Sequence, residues 1–181
     1  MDLPVPELPL TDGVVTLRLP DESDLPAIEQ GIVDGEVVRW IGPSEHSARQ
    51  TLELNRSRWA EETSATFSIC DPKDNCVGHV WVNLEGSGRG EVGYWLLAEA
   101  RGKGLATRSV RLISRWALRE LQLSRLSLLT EPSNEQSQRV AERSGFVREG
   151  VLRSYKEMAG RRIDCVVLSL LPSELGSDRT G

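Results

Sequence analysis

Cysteine is scarce in this chain of 181 residues. Cys70, Cys76 and Cys165 make no CxxC pair, and the two histidines, His46 and His79, lie far apart in sequence. A zinc site takes about four closely spaced N, S or O ligands, so no metal is expected. An odd and sparse cysteine count fits a reducing compartment better than a disulfide framework. Basic charge is also in short supply. Twenty-two Lys and Arg face 27 Asp and Glu, for a net charge of −5 and a pI of about 5.2. A nucleic-acid binder needs a basic footprint, so no nucleic-acid partner is expected. No Lys or Arg precedes Arg18, and no apolar h-region stands near the start, so no signal peptide is read. The longest apolar stretch, residues 165–171, is far too short to span a bilayer. There is no GxxxxGK[ST] run and no GxSxG elbow, which removes the P-loop and the serine-hydrolase readings. These absences leave a cytoplasmic globular protein with no membrane partner.

What is present suits one folded domain. Thirty-nine per cent of the residues are hydrophobic and 27% are charged, and the length buries a core without staples. Residues 1–12 carry three prolines and read as a mostly irregular arm. Residues 13–171 read as the domain and residues 172–181 as a frayed tail. Residues 14–19 alternate as a strand. Ser23 or Asp24 is placed to cap a helix running to Gln30. Two more helices follow, at residues 36–40 and 47–61, the latter with a ragged apolar stripe of Leu52, Leu54 and Trp59. Residues 65–70, 76–83 and 91–97 read as a three-stranded meander joined by turn-rich segments. Leu105, Val110, Ile113, Trp116 and Ala117 recur at helical spacing, giving a long helix over 104–121. A strand at 125–130, a helix at 133–144 closed by Gly145, and strands at 146–155 and 163–170 complete the order. This is an α/β single domain on a mixed sheet. Its strand–helix–strand unit from residue 91 to 130 should be a parallel crossover.

The segment between the third meander strand and the long helix carries the chemistry. Ala100-Arg101-Gly102-Lys103-Gly104-Leu105-Ala106-Thr107 places two glycines ahead of a helix N-terminus. Uncovered backbone N–H groups and the helix dipole can cradle a pyrophosphate there. Arg101, Lys103 and Arg108 add side-chain cations. A literal GxGxxG at Gly88, Gly90 and Gly93 enters a strand rather than opening a helix, so it reads as a hairpin turn.

Arg101-x-x-Gly104-x-Ala106 resembles the R/Q-x-x-G-x-G/A signature of the GCN5-related N-acetyltransferases, the GNAT superfamily. Asn134-Glu135-Gln136-Ser137, then Ala141-x-x-x-Gly145-Phe146, resembles the N-x-x-S…GF segment of the RimJ/RimL-type branch, as does Tyr94-Trp95-Leu96. The resemblance covers residues 14–170. It implies a mixed, mostly antiparallel sheet with splayed parallel strands and flanking helices. It also implies acetyl-CoA as acyl donor, transfer of the acetyl group to a primary amine by direct attack in a ternary complex, and no metal. By that resemblance the main chain of Trp95, Leu96 and Leu97 pairs with the pantetheine arm. Backbone amides of Arg101, Gly102, Lys103, Gly104, Leu105, Ala106 and Thr107 hold the pyrophosphate, and Asn134 bonds the arm.

The superfamily commonly has a tyrosine seven residues after the motif Asn to protonate the leaving thiolate, and here that position is Ala141. Ser137 is the substitute acid. Glu91 is the first candidate base and Glu157 the second. One or two of Trp40, Trp59, Trp81 and Trp95 are expected to line the acceptor cleft. The acceptor is a protein N-terminal α-amine or a small amine, and an antibiotic-resistance acetyltransferase is a further option. Transfer of another acyl group such as succinyl, and a CoA-binding module without catalysis, stay open. The near-continuous apolar run at 163–170 marks a central strand or an interface, and a homodimer is expected.

Overall fold

The computed structural model describes residues 3–6, 9–158 and 160–176. Two short strands, β1 (Leu10–Thr11) and β2 (Thr16–Arg18), lead into the helices α1 (Leu25–Val33), α2 (Gly35–Ile41) and α3 (Ala48–Ala60). A meander of β3 (Ser64–Cys70), β4 (Cys76–Gly86) and β5 (Arg89–Leu96) follows. Then come α4 (Leu105–Arg119), β6 (Arg125–Thr130), α5 (Glu135–Arg143), β7 (Val147–Met158) and β8 (Arg161–Leu170). Among the described residues these strands form one sheet in the order β1-β2-β3-β4-β5-β6-β8-β7. All neighbours are antiparallel except β5 and β6. The mixed α/β sheet and its parallel crossover are therefore as expected. The end of the expected arm pairs as β1, with Leu10 opposite Leu17.

Helix α4 packs Val110, Ile113, Trp116 and Ala117 onto the sheet, each at most 4% exposed. Trp116 and Trp59 flank Phe67, with ring centroids 5.1 and 5.3 Å from it. Trp59 is thus a core residue. Strand β8 lies between β6 and β7 and buries Cys165, Val166, Leu168 and Leu170 to 2% exposure or less, so its apolar run is that of a central strand. No described helix is long and apolar enough to cross a membrane.

The start of α1 departs from the expected cap. Asp21 accepts from the Ser23 N–H at 2.8 Å and caps a short 3-10 turn ahead of the helix. Asp24 turns inward and is fully buried. It accepts from Arg18 Nη1 and Nη2 at 2.9 and 2.7 Å, from Ser68 Oγ at 2.6 Å and from the Asp21 N–H at 3.0 Å. A buried carboxylate needs this many partners. The cluster pins the start of α1 to β2 and β3.

Candidate active site

Strands β5 and β6 pair over three rungs only: Arg89 with Arg125, Gly90 with Leu126 and Glu91 with Ser127. Beyond Glu91 the two strands part, and a cavity of about 600 Å³ occupies the gap. It runs from Gly102 and Ala106 at the start of α4, past Asn134 and Ser137 on α5, to Trp40 on α2 and Met158 on β7.

Main-chain groups alternate sides along a strand. The Leu97 N–H donates to Val77 O at 2.9 Å, and the Trp95 carbonyl lies against Gly78, so both face β4. Tyr94 and Leu96 therefore turn their main-chain groups to the gap, and Gly90 on the same side accepts from Ser127 Oγ. This corrects the expected trio of Trp95, Leu96 and Leu97. Only Leu96 is suitably turned, and its carbonyl accepts from Arg101 Nε at 3.0 Å. The Tyr94 main chain, not among the expected groups, also faces the gap, as strand parity alone requires. The Trp95 indole packs on His79, centroids 5.0 Å apart, and closes over Gly31, where a Cβ would meet the ring at 2.7 Å.

The loop before α4 has the backbone its glycines predict. Gly102 and Gly104 hold φ of 74° and 77°, in the left-handed region, and a Cβ on either would meet nothing within 4 Å. These are open positions where only glycine is unstrained. Leu105 and Ala106 bury their side chains in the core, Thr107 is half-buried, and Lys103 is exposed. Two of the three expected phosphate cations are committed elsewhere. Arg101 Nη2 lies 2.6 Å from Asp34 Oδ1, and Asp34 also caps α2 by accepting from the N–H groups of Glu36 and Val37. Arg108 Nη1 lies 2.7 Å from Asp12 Oδ2. Arg101 thereby ties the loop to the start of α2.

On α5, Asn134 is the N-cap, its Oδ1 accepting from the Ser137 N–H at 3.1 Å. Ala141 is fully buried in the core. Burial pushes the pKa of the Tyr94 phenol up, and the neighbouring Ser137 side chain pulls it back. Both line the cavity. A tyrosine hydroxyl thus reaches the site from β5, although position 141 offers none.

Glu91 stands at the last paired rung, with its side chain 25% exposed. Burial pushes its carboxyl above the usual range, against the pull of Lys156, whose Nζ lies 4.0 Å from Oε1. Glu157 is exposed and lies between Lys156 and Met158, which both line the cavity; alternation turns it to the opposite face. Its carboxylate does not line the cavity. Trp40, Trp81 and Trp95 line the cavity, one more than expected, while Trp59 does not reach it. Glu36, Glu131 and Lys156 also line it and were not anticipated. Nothing in a sequence says which residues of remote helices and hairpins converge.

Residues 15–147 match the model of the Acetyltransferase (GNAT) domain, and the chain belongs to that family. A Bacillus subtilis (strain 168) protein whose name, ribosomal N-acetyltransferase YdaF, is itself provisional is 38% identical over 169 residues, 88% of this chain and 92% of that protein. Aminoglycoside N(6')-acetyltransferase type 1 of Klebsiella pneumoniae is 30% identical over 159 residues, 76% of each chain. Mycobacterium smegmatis RimJ, solved in complex with CoA-disulfide, superposes with a TM-score of 0.82 at 24% identity, over 94% of this chain and 88% of that one. The likeness to RimJ is one of fold. With YdaF among the relatives, it agrees with the RimJ/RimL-type branch read from Asn134, Ser137 and Gly145-Phe146.

Proposed function

We propose that the protein transfers an acetyl group from acetyl-CoA to a primary amine in a ternary complex. The observation that carries this is the gap between β5 and β6 beyond Glu91, which runs from a glycine loop at a helix N-terminus to a carboxylate of raised pKa. In this reading, the N–H groups from Arg101 to Thr107 and the α4 dipole hold the pyrophosphate. The Tyr94 and Leu96 main chain and the Asn134 amide hold the pantetheine arm. Glu91 takes the proton of the incoming ammonium, directly or through water, and a raised pKa suits that task. Ser137, backed by Tyr94, donates to the departing thiolate. The acceptor enters between α2 and the β7–β8 hairpin, where Trp40, Trp81 and the carboxylates of Glu36 and Glu131 favour a cationic amine.

Calorimetric titration with CoA tests the cofactor half, and Gly104→Val is the decisive variant. A Cβ built at this position meets no protein atom within 4 Å, so the substitution makes no clash with the core. It stands where backbone must approach phosphate and at a φ that β-branched residues avoid. Affinity should fall at least about tenfold, or about 1.4 kcal/mol. Unchanged affinity in a folded variant overturns the cradle. Thiol release with a panel of amines tests the transfer half.

The protein acts in the cytoplasm as a homodimer in this reading. Support for the dimer moves from β8 to β7, a 12-residue edge strand that exposes Val147, Val151, Leu152 and Tyr155. Such an edge calls for a cover, and a second copy supplies one.

A further inference from the structure

Lysine is rare in this chain. Lys73, Lys103 and Lys156 are its three, among 22 basic residues. Arginine stays protonated and cannot serve as an amine nucleophile, whereas lysine can. Lys73 lies in the exposed turn between β3 and β4, and Lys103 on the exposed loop before α4. Lys156, with its side chain 55% exposed, stands on the cavity face of β7 and lines the same space as Ser137, with its Nζ 4.0 Å from Glu91 Oε1. That carboxylate marks the point where β5 and β6 part.

A bulge sets the placement of Lys156. Between the pairs Leu152–Cys165 and Lys156–Ile163, residues 153–155 of β7 oppose Asp164 alone. Ser154 holds a φ of 52°. Its N–H donates to Asp164 Oδ1 at 2.7 Å, and its carbonyl accepts from Arg162 Nη2 at 2.6 Å. Side chains of the opposite strand thus lock an uncommon backbone conformation, the mark of a built feature.

We propose that Lys156 is itself an acetyl acceptor of this active site, modified in cis by the bound acetyl-CoA. The inference rests on the reading above, in which the thioester lies in the gap with its carbonyl near Glu91. The Glu91 carboxylate takes one proton from the Lys156 ammonium. The freed Nζ lone pair attacks the thioester carbonyl carbon, the N–C bond forms and the C–S bond breaks. The amine's second proton goes to sulfur, giving the CoA thiol, and Glu91 returns the first to water. Nothing is oxidised or reduced. The product is a neutral amide, so the modification removes the counter-charge that faces Glu91 and fills the acceptor side of the cavity.

The test incubates the full chain with acetyl-CoA and no added amine, and follows acetyl occupancy at Lys156, Lys73 and Lys103 by peptide mass spectrometry. Lys156 is expected to be labelled at least about tenfold faster than Lys73, a small part of what holding a nucleophile beside its electrophile gives. Unfolding in urea should bring the two rates together. Glu91→Gln should slow Lys156 about a hundredfold and leave Lys73 unchanged, and Lys156→Arg should abolish the fast phase. Equal rates at Lys156 and Lys73 in a folded protein that binds CoA and acetylates an external amine overturn this proposal alone. Equal rates in a folded protein that does not bind CoA overturn the proposed function with it.

Discussion

His79 gives the site a pH limit that denaturation can measure. It is 2% exposed, its Nε2 has no hydrogen-bond partner, and its ring lies under Trp95 on β5. Burial pulls its pKa down from 6.5 to about 4, with Asp24 opposing that shift and Arg18 adding to it. The unfolded chain therefore takes up a proton at this residue near pH 6.5, and the folded chain resists until near pH 4. Stability is complete above the unfolded pKa and falls as the pH drops through that window. Integrating the two titrations from pH 7 to pH 5 gives a loss of about 2 kcal/mol, or about 4–8 °C in Tm for a chain of this size. His79→Phe keeps an aromatic ring against Trp95 and removes the titration. Asp24, held below the usual carboxylate range by its hydrogen bonds despite burial, contributes to pH dependence only below about pH 4. Glu91, shifted upward, acts in the opposite sense but is present in both proteins. Urea unfolding at pH 7 and pH 5 should thus show the wild type losing about 2 kcal/mol more than the variant. Equal losses in the two would refute the assignment of a buried, neutral His79.

Two further outcomes follow from the site and the sheet edge. Ser137→Ala removes one hydroxyl from the first turn of α5 and leaves the Asn134 cap intact, since the cap accepts from the main-chain N–H. kcat should fall by about 10- to 100-fold under chemistry-limited conditions, near the lower end of general-acid effects, with CoA affinity unchanged. A wild-type kcat would return the serine to a structural role, and lost CoA binding would make it a cofactor ligand. Light scattering at micromolar concentration should give twice the chain mass, with Val151→Lys on the exposed face of β7 shifting it toward the monomer. A monomeric wild type ends the dimer reading.

The elements that position the site were legible because each is declared locally. The apolar spacing from Leu105 to Ala117 marks α4, and Asn134 three residues before Ser137 marks a cap. Gly102 and Gly104 mark left-handed backbone ahead of a helix. Each signal needs only its own neighbours, and each recurs in the fold with shifts of a few residues. Asp24 shows where such signals stop. As a sequence feature it is a cap like Asp21. Its actual partners, Arg18 and Ser68, come from β2 and β3, and only the closed sheet brings them together.

The same boundary explains why side-chain partners are harder to read than the backbone. Arg101 and Arg108 count as phosphate cations when only the loop is in view. Their true partners, Asp34 and Asp12, lie 67 and 96 residues away in sequence. In the proposed reading, with both guanidiniums paired to carboxylates, anion binding at this loop would rest on main-chain N–H groups, the helix dipole and Lys103. That makes the glycine conformations, not the arginine charges, the sensitive feature of the motif. The missing tyrosine at Ala141 follows the same logic. A hydroxyl seven residues past an Asn can be searched for along a helix. The Tyr94 phenol approaches Ser137 from a strand that the chain left before α4 began, and the gap between β5 and β6 is what lets the two meet.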